Sequence, residues 1–284
     1  MTFSIVATSS EEWGVAVASK FPAVGVIVPW ARAGAGAVAT QSYANTSFGP
    51  KGLDLMAEGI PARETLGQLL EDDDGREQRQ VGLVDATGTV ATFTGSECMP
   101  WAGGRTGQGY ACQGNILTGQ AVIDGMAAAF EGSEGDLVDR LLAALAAGDR
   151  AGGDRRGRQS AALVVVRDRG GYGGYTDRYV DLRVDDHPQA PAELARLFET
   201  YDREILIRDD PILDSTTELI TELQRRLKAL GRYAGEITGT YDEVTRRSIE
   251  DFAGEVNLEG KTREDDRLYE SVVREIRDIT PDVL

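Results

Sequence analysis

Runs of β-branched and apolar residues, separated by polar breaks, organise the first two thirds of the chain. In FSIVATSSEEWGVAVAS two such runs flank the polar tetrapeptide SSEE, which predicts a β-hairpin whose first strand begins at Thr2. The Val-rich run VGVIVPWARAGAGAVATQ is interrupted by Pro29 and by several glycines, which predicts one or two strands with a bend at Pro29. QVGLVDATGTVATFTG predicts a second hairpin, and SAALVVVR and YVDLRVDD each predict a strand.

Helical patterns lie between these strands in blocks. GPKGLDLMAEG and IPARETLGQLLEDDDG predict two helices, because each has a Pro near its first turn and a Gly after its end. AVIDGMAAAFEG and DLVDRLLAALAAG carry apolar residues at helical spacing, and PAELARLFETYD predicts a short amphipathic helix. Because strands and helices do not alternate regularly, the order predicts an α+β fold with helices layered on sheets rather than a doubly wound parallel sheet.

The composition changes after about residue 208. The segment DSTTELITELQRRLKALGRYAGEITGTYDEVTRRSIEDFAG predicts a helix, a Gly-rich loop and a second helix, without a β-rich run. Its first helix carries one apolar stripe: Leu219, Leu223, Leu227 and Leu230. We therefore expect one domain over residues 1–208 and a small all-α domain over residues 209–284.

Length and charge limit the classes of function. A chain of 284 residues, 41% hydrophobic, can bury a sizeable core. It has no apolar stretch of about 18 residues and no signal-peptide pattern, so we expect a cytoplasmic protein that does not cross a membrane. A net charge of −17 argues against nucleic acid and acidic lipid as partners. The acidic, Lys-poor composition suits a high-salt cytoplasm, and a GC-rich genome that favours Arg codons explains the low Lys content equally well.

The sequence contains no complete motif for a nucleotide cofactor or a metal ion. Gly34, Gly36 and Ala39 satisfy GxGxxA, but the residues that follow are β-branched and polar and do not predict the helix that a dinucleotide site needs. Cys98 and Cys112 form no CxxC, and the single histidine excludes a Cys/His zinc site. We therefore expect two free thiols, no cofactor and no metal.

The acidic run EDDDG, residues 71–75, directly follows a helical pattern. A charge run at such a position is typical of a solvated helix end. We expect these carboxylates to be exposed and to take no part in chemistry.

Thr2 is the candidate nucleophile. The initiator Met is removed when the second residue is small, and Thr meets that condition. The new terminus would carry both a β-hydroxyl and an α-amine, whose reference pKa is about 7.7–8.0. One residue then supplies nucleophile and general base. A strand that begins at once gives this terminus a fixed position.

Such a site also needs a cation that lowers the pKa of the amine, and donors for an oxyanion. Lys20 lies at the end of the strand predicted beside the terminus, and Arg32 in PWARAG is the alternative. Gln113 and Asn115 in YACQGNIL offer amide or backbone donors to an oxyanion. GDRRGRQSAAL brings Asp154 and Ser160 to the mouth of a buried strand, where both side chains can hydrogen bond a terminal amine.

Six ordered blocks, from residue 2 to about 205, together resemble the DUF1028 family: TFSIVA, GVAVASKFPAVG, VPWARAGAGAVATQ, YACQGNIL, GDRRGRQSAAL and GYGGYTDRYVDLRVDDHP. That family is placed in the N-terminal-nucleophile (Ntn) hydrolase superfamily. The resemblance implies a four-layer αββα fold with two antiparallel sheets between helices. It also implies hydrolysis of a small amide or peptide by Thr2, and a homo-oligomer, because related folds form rings and dimers.

The same resemblance implies roles for the other candidates. Lys20 or Arg32 would lower the pKa of the Thr2 amine. Asp154 and Ser160 resemble the Asp and Ser that precede a core strand in proteasome-type subunits, although here they lie six residues apart. The family name carries no assigned reaction.

The tail resembles peptidoglycan-binding domains through an LGxYxG turn, an IxGxY loop and a T…I..F helix. Most of these positions specify a core and turns rather than a ligand. We expect residues 209–284 to form a small helical module that docks a glycan or a protein.

Two functions remain open. The chain is an Ntn amidohydrolase, or it is a catalytically inactive Ntn-like scaffold that binds a ligand or a cell-wall fragment; beside these two, a structural assembly subunit is the remaining alternative. A retained Met1 would favour the second, because Thr2 would then lack a free amine.

Overall fold

A computed structural model describes residues 2–206, 208 and 210–280, and these residues form two compact units, one up to Leu197 and one from Phe198 onward. The strands in chain order are β1 (Thr2–Ser9), β2 (Glu12–Ser19), β3 (Pro29–Arg32), β4 (Gly36–Ser42), β5 (Arg79–Asp85), β6 (Val90–Thr94), β7 (Gly103–Gly107), β8 (Tyr110–Asn115), β9 (Ser160–Val166), β10 (Arg178–Val184), β11 (Ile212–Asp214) and β12 (Arg267–Tyr269). The helices are α1 (Phe48–Ala57), α2 (Ala62–Glu71), α3 (Ala121–Gly132), α4 (Leu137–Arg150), α5 (Ala190–Glu204), α6 (Thr217–Ala229), α7 (Glu243–Glu255) and α8 (Glu270–Asp278).

The first sheet of the first unit is antiparallel, with strand order β10-β9-β2-β1-β8-β7. The predicted hairpin forms its centre, so β1 is paired along both edges. Thr2 lies opposite Ser19 of β2 on one side and opposite Asn115 of β8 on the other. Because both edges are paired, the start of β1 is held by main-chain hydrogen bonds.

The second sheet has the order β3-β4-β5-β6 and is also antiparallel. The GxGxxA motif lies at the turn between β3 and β4. Gly34 occupies that turn with a φ of +74°, a conformation that glycine adopts without a steric penalty. Gly36 and Ala39 belong to β4, so the predicted glycine-bent strand is confirmed and no helix follows the motif.

The two sheets stack face to face, α3 and α4 cover the first sheet, and α1 and α2 cover the second. The predicted four-layer αββα arrangement is therefore confirmed. Aliphatic side chains fill one end of the space between the sheets: Val6, Val15, Val17, Ala37, Ala39, Val84, Ala111 and Val164. This burial on both faces explains why the strand sequences are nearly continuous apolar runs rather than alternating ones.

The alternation of β1 decides where its first residue points. Phe3 and Ile5 are buried, and a Cβ built at Gly148 of α4 would lie 3.2 Å from the Phe3 ring. Phe3 therefore faces the helices. Val6 belongs to the core between the sheets, and Ser4 bonds to β4 of the second sheet. Since side chains alternate with a period of two, Thr2 shares the inter-sheet face with Ser4 and Val6.

The second unit packs α6, α7 and α8 around its own core, which includes Ile220, Leu223, Leu227, Phe252 and Ile276. Its predicted helical character is confirmed, but β11 and β12 add a short antiparallel ladder that the sequence pattern did not indicate. Strands of three residues are too short to produce a recognisable periodicity.

Asp210, which lies just after the predicted boundary at residue 208/209, belongs to the packing of this second unit. Its carboxylate lies 2.8 Å from Nζ of Lys261 and accepts a hydrogen bond from the backbone N–H of Ser271 at 3.0 Å. Both charged side chains are almost fully buried, so the pair ties the start of the unit to the first turn of α8.

We expect a chain shortened by deletion of residues 209–284 to fold. Residues up to Leu197 supply both sheets and both helix layers of the αββα unit, so its core stays complete. The shortened protein should show a single cooperative thermal transition and a far-UV circular dichroism spectrum rich in β signal. Aggregation or a non-cooperative transition would mean that the tail completes the first domain.

Candidate active site

A cleft of about 490 Å³ opens beside the first residue of β1, and Thr2 forms part of its lining. One wall comes from the loop after β2, with Phe21 and Ile27, and the other from the end of β4, with Ser42 and Tyr43. Thr2 is 6% exposed. The threonine that begins a buried central strand thus borders a space large enough for a small molecule.

The Thr2 hydroxyl has a direct side-chain partner. Its Oγ1 lies 3.1 Å from Oγ of Ser19, the residue opposite it on β2. Ser19 is itself almost fully buried. The hydrogen bond and the strand register together hold the Thr2 side chain in one position.

Next to Thr2, in the space between the two sheets, a layer of polar side chains links one sheet to the other. Ser4 Oγ donates to Oε1 of Gln41 at 2.7 Å and accepts from Nε2 of Gln113 at 2.6 Å. Nε2 of Gln41 contacts the carbonyl oxygen of Thr2 at 3.4 Å. The first residue of β1 is therefore tied to the second sheet as well as to its own.

Gln80 of β5 completes this layer. Its Oε1 accepts hydrogen bonds from Gln41 at 2.8 Å and from Nδ2 of Asn115 at 2.9 Å, and its Nε2 donates to the Gly114 carbonyl at 2.8 Å. Among the described residues, no buried side-chain nitrogen or oxygen lacks a partner. A closed network of this kind is rigid, because the loss of any member leaves its neighbours without a hydrogen-bond partner in a region that excludes water.

Asp154 and Ser160 lie near Thr2, but they hold the loop after β2. Asp154 Oδ2 accepts from the backbone N–H of Lys20 at 2.7 Å. Ser160 Oγ accepts from the N–H of Val24 at 3.1 Å and donates to the carbonyl of Phe21. The two side chains predicted to contact the amine thus position Lys20 and one wall of the cleft.

Of the two candidate cations, the structure brings only Lys20 to the Thr2 end of the sheets. Lys20 directly follows Ser19, the register partner of Thr2, and its side chain is exposed. Arg32 pairs instead with Asp54 at 2.9 Å, opposite Gly36 at the far end of β4. Five residues of strand, about 17 Å, separate Gly36 from the part of β4 that reaches Thr2.

Asn115 is the register partner of Thr2, but its amide is directed between the sheets. Nδ2 donates to Gln80, and the next backbone N–H, of Ile116, donates to the carbonyl of Met99 at 2.9 Å. The donors predicted for an oxyanion are thus bound within the fold. Asn115 therefore ties β8 to β5 between the sheets and is not among the residues that line the cleft.

Ser42 of the cleft lining has a left-handed backbone, and so do Ala23, next to the lining residue Val24, and Ile116, next to the register partner of Thr2. Ala23 follows β2 with φ +51°, Ser42 ends β4 with φ +73°, and Ile116 follows β8 with φ +50°. Residues with a Cβ rarely adopt this conformation, and such strain concentrates at binding and catalytic sites. Four other non-glycine residues in the described chain share this conformation away from Thr2, so only the strain at Ser42 bears directly on the cleft.

The ion pair of Arg79 with Asp73 borders the same cleft. Nε of Arg79 donates to Asp73 at 2.8 Å and Nη1 donates to the Tyr43 carbonyl at 2.6 Å, while Asn45 also donates to Asp73. The hydrogen bond from Arg79 holds the pKa of the Asp73 carboxyl below its usual value. The expectation of a fully solvated EDDDG run was therefore wrong for Asp73, because the chain turns back and buries it beneath Arg79.

The sequence analysis missed Ser19, Gln41 and Gln80, and it considered Gln113 only as a source of donors for an oxyanion. A signal was present: each glutamine stands alone among apolar or small residues in a strand pattern, in ATQS, RQVGLV and YACQGN. Gly82 is a related case, since a Cβ there would lie 2.1 Å from Oε1 of Gln113. Local sequence cannot reveal that these positions face one another across two sheets.

Neither cysteine competes with Thr2 as a nucleophile. Cys98 and Cys112 are free and buried, as expected for structural thiols. Burial raises the pKa of the Cys112 thiol above its usual value, which removes the reactive thiolate at neutral pH. In the described part of the chain, no three His, Cys, Asp or Glu side chains are grouped to hold a metal ion.

Together, the fold and the cleft define an αββα protein whose first strand presents a buried Thr at a cleft of about 490 Å³. The model of the "Family of unknown function (DUF1028)" matches residues 2–194, and the chain belongs to this family. A crystal structure of a DUF1028 protein from Silicibacter pomeroyi is similar, with a TM-score of 0.65 and 31% sequence identity. That match covers 71% of this chain and 89% of the other.

The second unit has a family match of its own. The model described as "Putative peptidoglycan binding domain" matches residues 206–275. No curated protein matches the chain. Among the described residues, no helix combines the length and apolar character needed to cross a membrane.

We expect Gln80→Leu to lower the free energy of unfolding by about 3 kcal/mol, because it leaves the buried donors of Gln41 and Asn115 without their acceptor. The control is Gln78→Leu, because the native Gln78 side chain donates a hydrogen bond to Glu97 at the surface. This substitution should lower the free energy of unfolding by less than about 0.5 kcal/mol. Urea unfolding measures both. Equal losses in the two variants would contradict a special role for the inter-sheet network.

Asp73→Asn should lower the free energy of unfolding at pH 7 by about 2 kcal/mol, since it removes a buried, charge-assisted bond to Arg79. The pKa of Asp73 is lower in the folded than in the unfolded state, where it is about 3.9. Its contribution is therefore present above about pH 4 and is lost as the pH falls further. Urea unfolding at pH 7, 5 and 3 should show the gap to wild type shrinking at pH 3, whereas exposed Asp74→Asn should change little. A gap that is constant with pH would contradict the ion pair.

Proposed function

We propose that this protein is an Ntn amidohydrolase that cleaves a small amide or peptide bond, with Thr2 as nucleophile after removal of Met1. The observation that carries the proposal is the Thr2 hydroxyl, held against Ser19 where Thr2 lines the cleft. Membership of the DUF1028 family and the αββα layers support it. The family has no assigned reaction, so the chemistry rests on the site.

In the proposed reaction the Thr2 amine accepts the proton of Oγ1 as the oxygen attacks the carbonyl carbon of the substrate. The tetrahedral intermediate collapses to an ester on Thr2, and the amine returns the proton to the departing nitrogen. Water then attacks the ester and releases the carboxylic acid, again with the amine as base. Ser19 orients Oγ1 throughout.

The remaining candidates take positioning roles. The ammonium of Lys20 disfavours a second positive charge on the Thr2 amine and so keeps a larger fraction of it neutral. Asp154 and Ser160 hold the loop that carries Lys20. Asn115 and the glutamine layer fix the strand end, since a displacement of about 1 Å costs roughly 100-fold in rate.

The second candidate is a catalytically inactive scaffold that binds a glycan or a cell-wall fragment. The match of residues 206–275 to the peptidoglycan-binding model favours it. In this case Met1 is retained and Thr2 is only the first residue of a buried strand. The tail would then dock the ligand, and the αββα unit would have no amine to act as base.

Thr2→Ala should lower amide hydrolysis at least about 1,000-fold without loss of folding, because it removes the attacking oxygen. Thr2→Ser should retain a measurable rate, since Ser also permits Met removal and supplies a hydroxyl. Thr8→Ala is a matched control at the other end of β1, where the hydroxyl bonds only within its own hairpin, and it should leave the rate unchanged. Release of amine from amide substrates measures all three.

The intact mass of untagged protein separates the two candidates independently of substrate. A mass that lacks one Met residue supports the hydrolase. A mass that retains Met1, or hydrolysis that survives in Thr2→Ala, would sink the proposed mechanism.

A further inference from the structure

We propose that the cleft beside Thr2 receives an uncharged, apolar acyl group, so that the protein prefers amides of aliphatic or aromatic monocarboxylic acids over amides of dicarboxylic acids. This inference rests on the proposed function, because it takes Thr2 as the attacking residue. It assigns the cleft walls to substrate selection.

The walls of the cleft are mainly apolar. Val24 and Val28 are buried behind it, while Ile27 and Ala44 are partly exposed to it. Phe21 stands at the rim with 46% of its surface exposed. These side chains offer dispersion contacts and no complementary charge, which is the surface that an aliphatic chain or a phenyl ring buries favourably.

Tyr43 faces the same cleft from the end of β4 and is 57% exposed. Together with Phe21 it places two large, solvent-exposed aromatic rings at one opening. Isolated exposed apolar residues need no explanation, but a group of them around a concave site marks a ligand or partner surface. Continuity with Thr2 makes the substrate the occupant that the geometry supports.

Among the described lining residues, Arg79 is the one that carries a charge at neutral pH, and this charge is already matched. Asp73 accepts two of its hydrogen bonds, at 2.8 and 3.1 Å, and the Tyr43 carbonyl accepts a third. A second carboxylate beside Arg79 would lose its hydration next to a charge that Asp73 already neutralises. The net charge of −17 on the whole chain adds long-range repulsion of anions.

The size of the space agrees with this class of substrate. A cleft of about 490 Å³ lies in the usual range for small-molecule sites, about 300–1,000 Å³. Each methylene group buried in such a site increases kcat/KM about fourfold. Because the cleft is open on one side, we expect hexanoyl amides to exceed acetyl amides by at least about tenfold in kcat/KM.

The test uses the full-length, untagged protein and three p-nitroanilides, with acetyl, hexanoyl and glutaryl groups. We expect the hexanoyl substrate to be preferred over both others. Ala44→Phe fills the cleft, so it should reduce the hexanoyl advantage to below about threefold while acetyl hydrolysis persists. Ile27→Ala should reduce the advantage in part. Its neighbour Val26, which is exposed but does not line the cleft, provides the matched control Val26→Ala, which should change nothing.

A binding measurement separates this inference from the hydrolase itself. Saturation-transfer NMR on Thr2→Ala compares hexanamide with glutaramic acid, its charged counterpart, and needs no turnover. Saturable binding of hexanamide that Ala44→Phe weakens supports the apolar cleft, even where wild type hydrolyses nothing and the proposed function fails. Tighter binding or faster hydrolysis of the glutaryl compounds overturns the inference while leaving Thr2 chemistry intact. Absence of hexanamide binding also overturns it.

Discussion

The layer of amide and hydroxyl side chains between the two sheets is the constraint on which the geometry near Thr2 depends. One end of the inter-sheet space is filled by Val and Ala, and the other by Ser4, Gln41, Gln80, Gln113 and Asn115. Buried amides are costly unless every donor and acceptor is paired, so the two sheets must keep a single relative register. Thr2 lies at the end of this layer, so its position is fixed by the same register.

The cleft is built on this rigid base from parts that are held separately. Asp154 and Ser160 tie down the loop after β2 through its backbone, while the bond from Arg79 to the Tyr43 carbonyl secures the segment after β4. Sites whose supporting side chains are themselves bonded keep their geometry when a ligand enters. The left-handed backbone of Ser42 at the cleft is consistent with a segment that the surrounding bonds force into position.

The second unit uses a similar device on a smaller scale. Gln224 of α6 is fully buried, its Oε1 accepts from the N–H groups of Thr238 and Gly239, and its Nε2 donates to Thr240 and Thr245. One side chain thus orders the Gly-rich loop that the sequence pattern left without regular structure. The loop is the irregular part of an otherwise helical unit, and in such units loops carry binding residues more often than the elements they connect.

Local sequence determined the elements of this protein and the chemistry available at its first residue. Apolar runs and helix-capping signals predicted the principal strands and helices and their block order, and Thr after Met1 predicted the candidate nucleophile, because these properties depend only on neighbouring residues. Strands β7 and β8 escaped prediction. The sequence of β7, GGRTG, has no apolar residue, and that of β8, YACQGN, mixes polar and small residues without alternation. Both strands exist through their pairing in the sheet, β7 with β8 and β8 with β1. Tertiary structure alone decided which polar residues meet: the three glutamines come from strands far apart in the chain, Asp73 is buried by Arg79, and Arg32 is carried away from Thr2. Periodicity states which face of a strand a residue occupies, whereas its partner across two stacked sheets is set by register and topology.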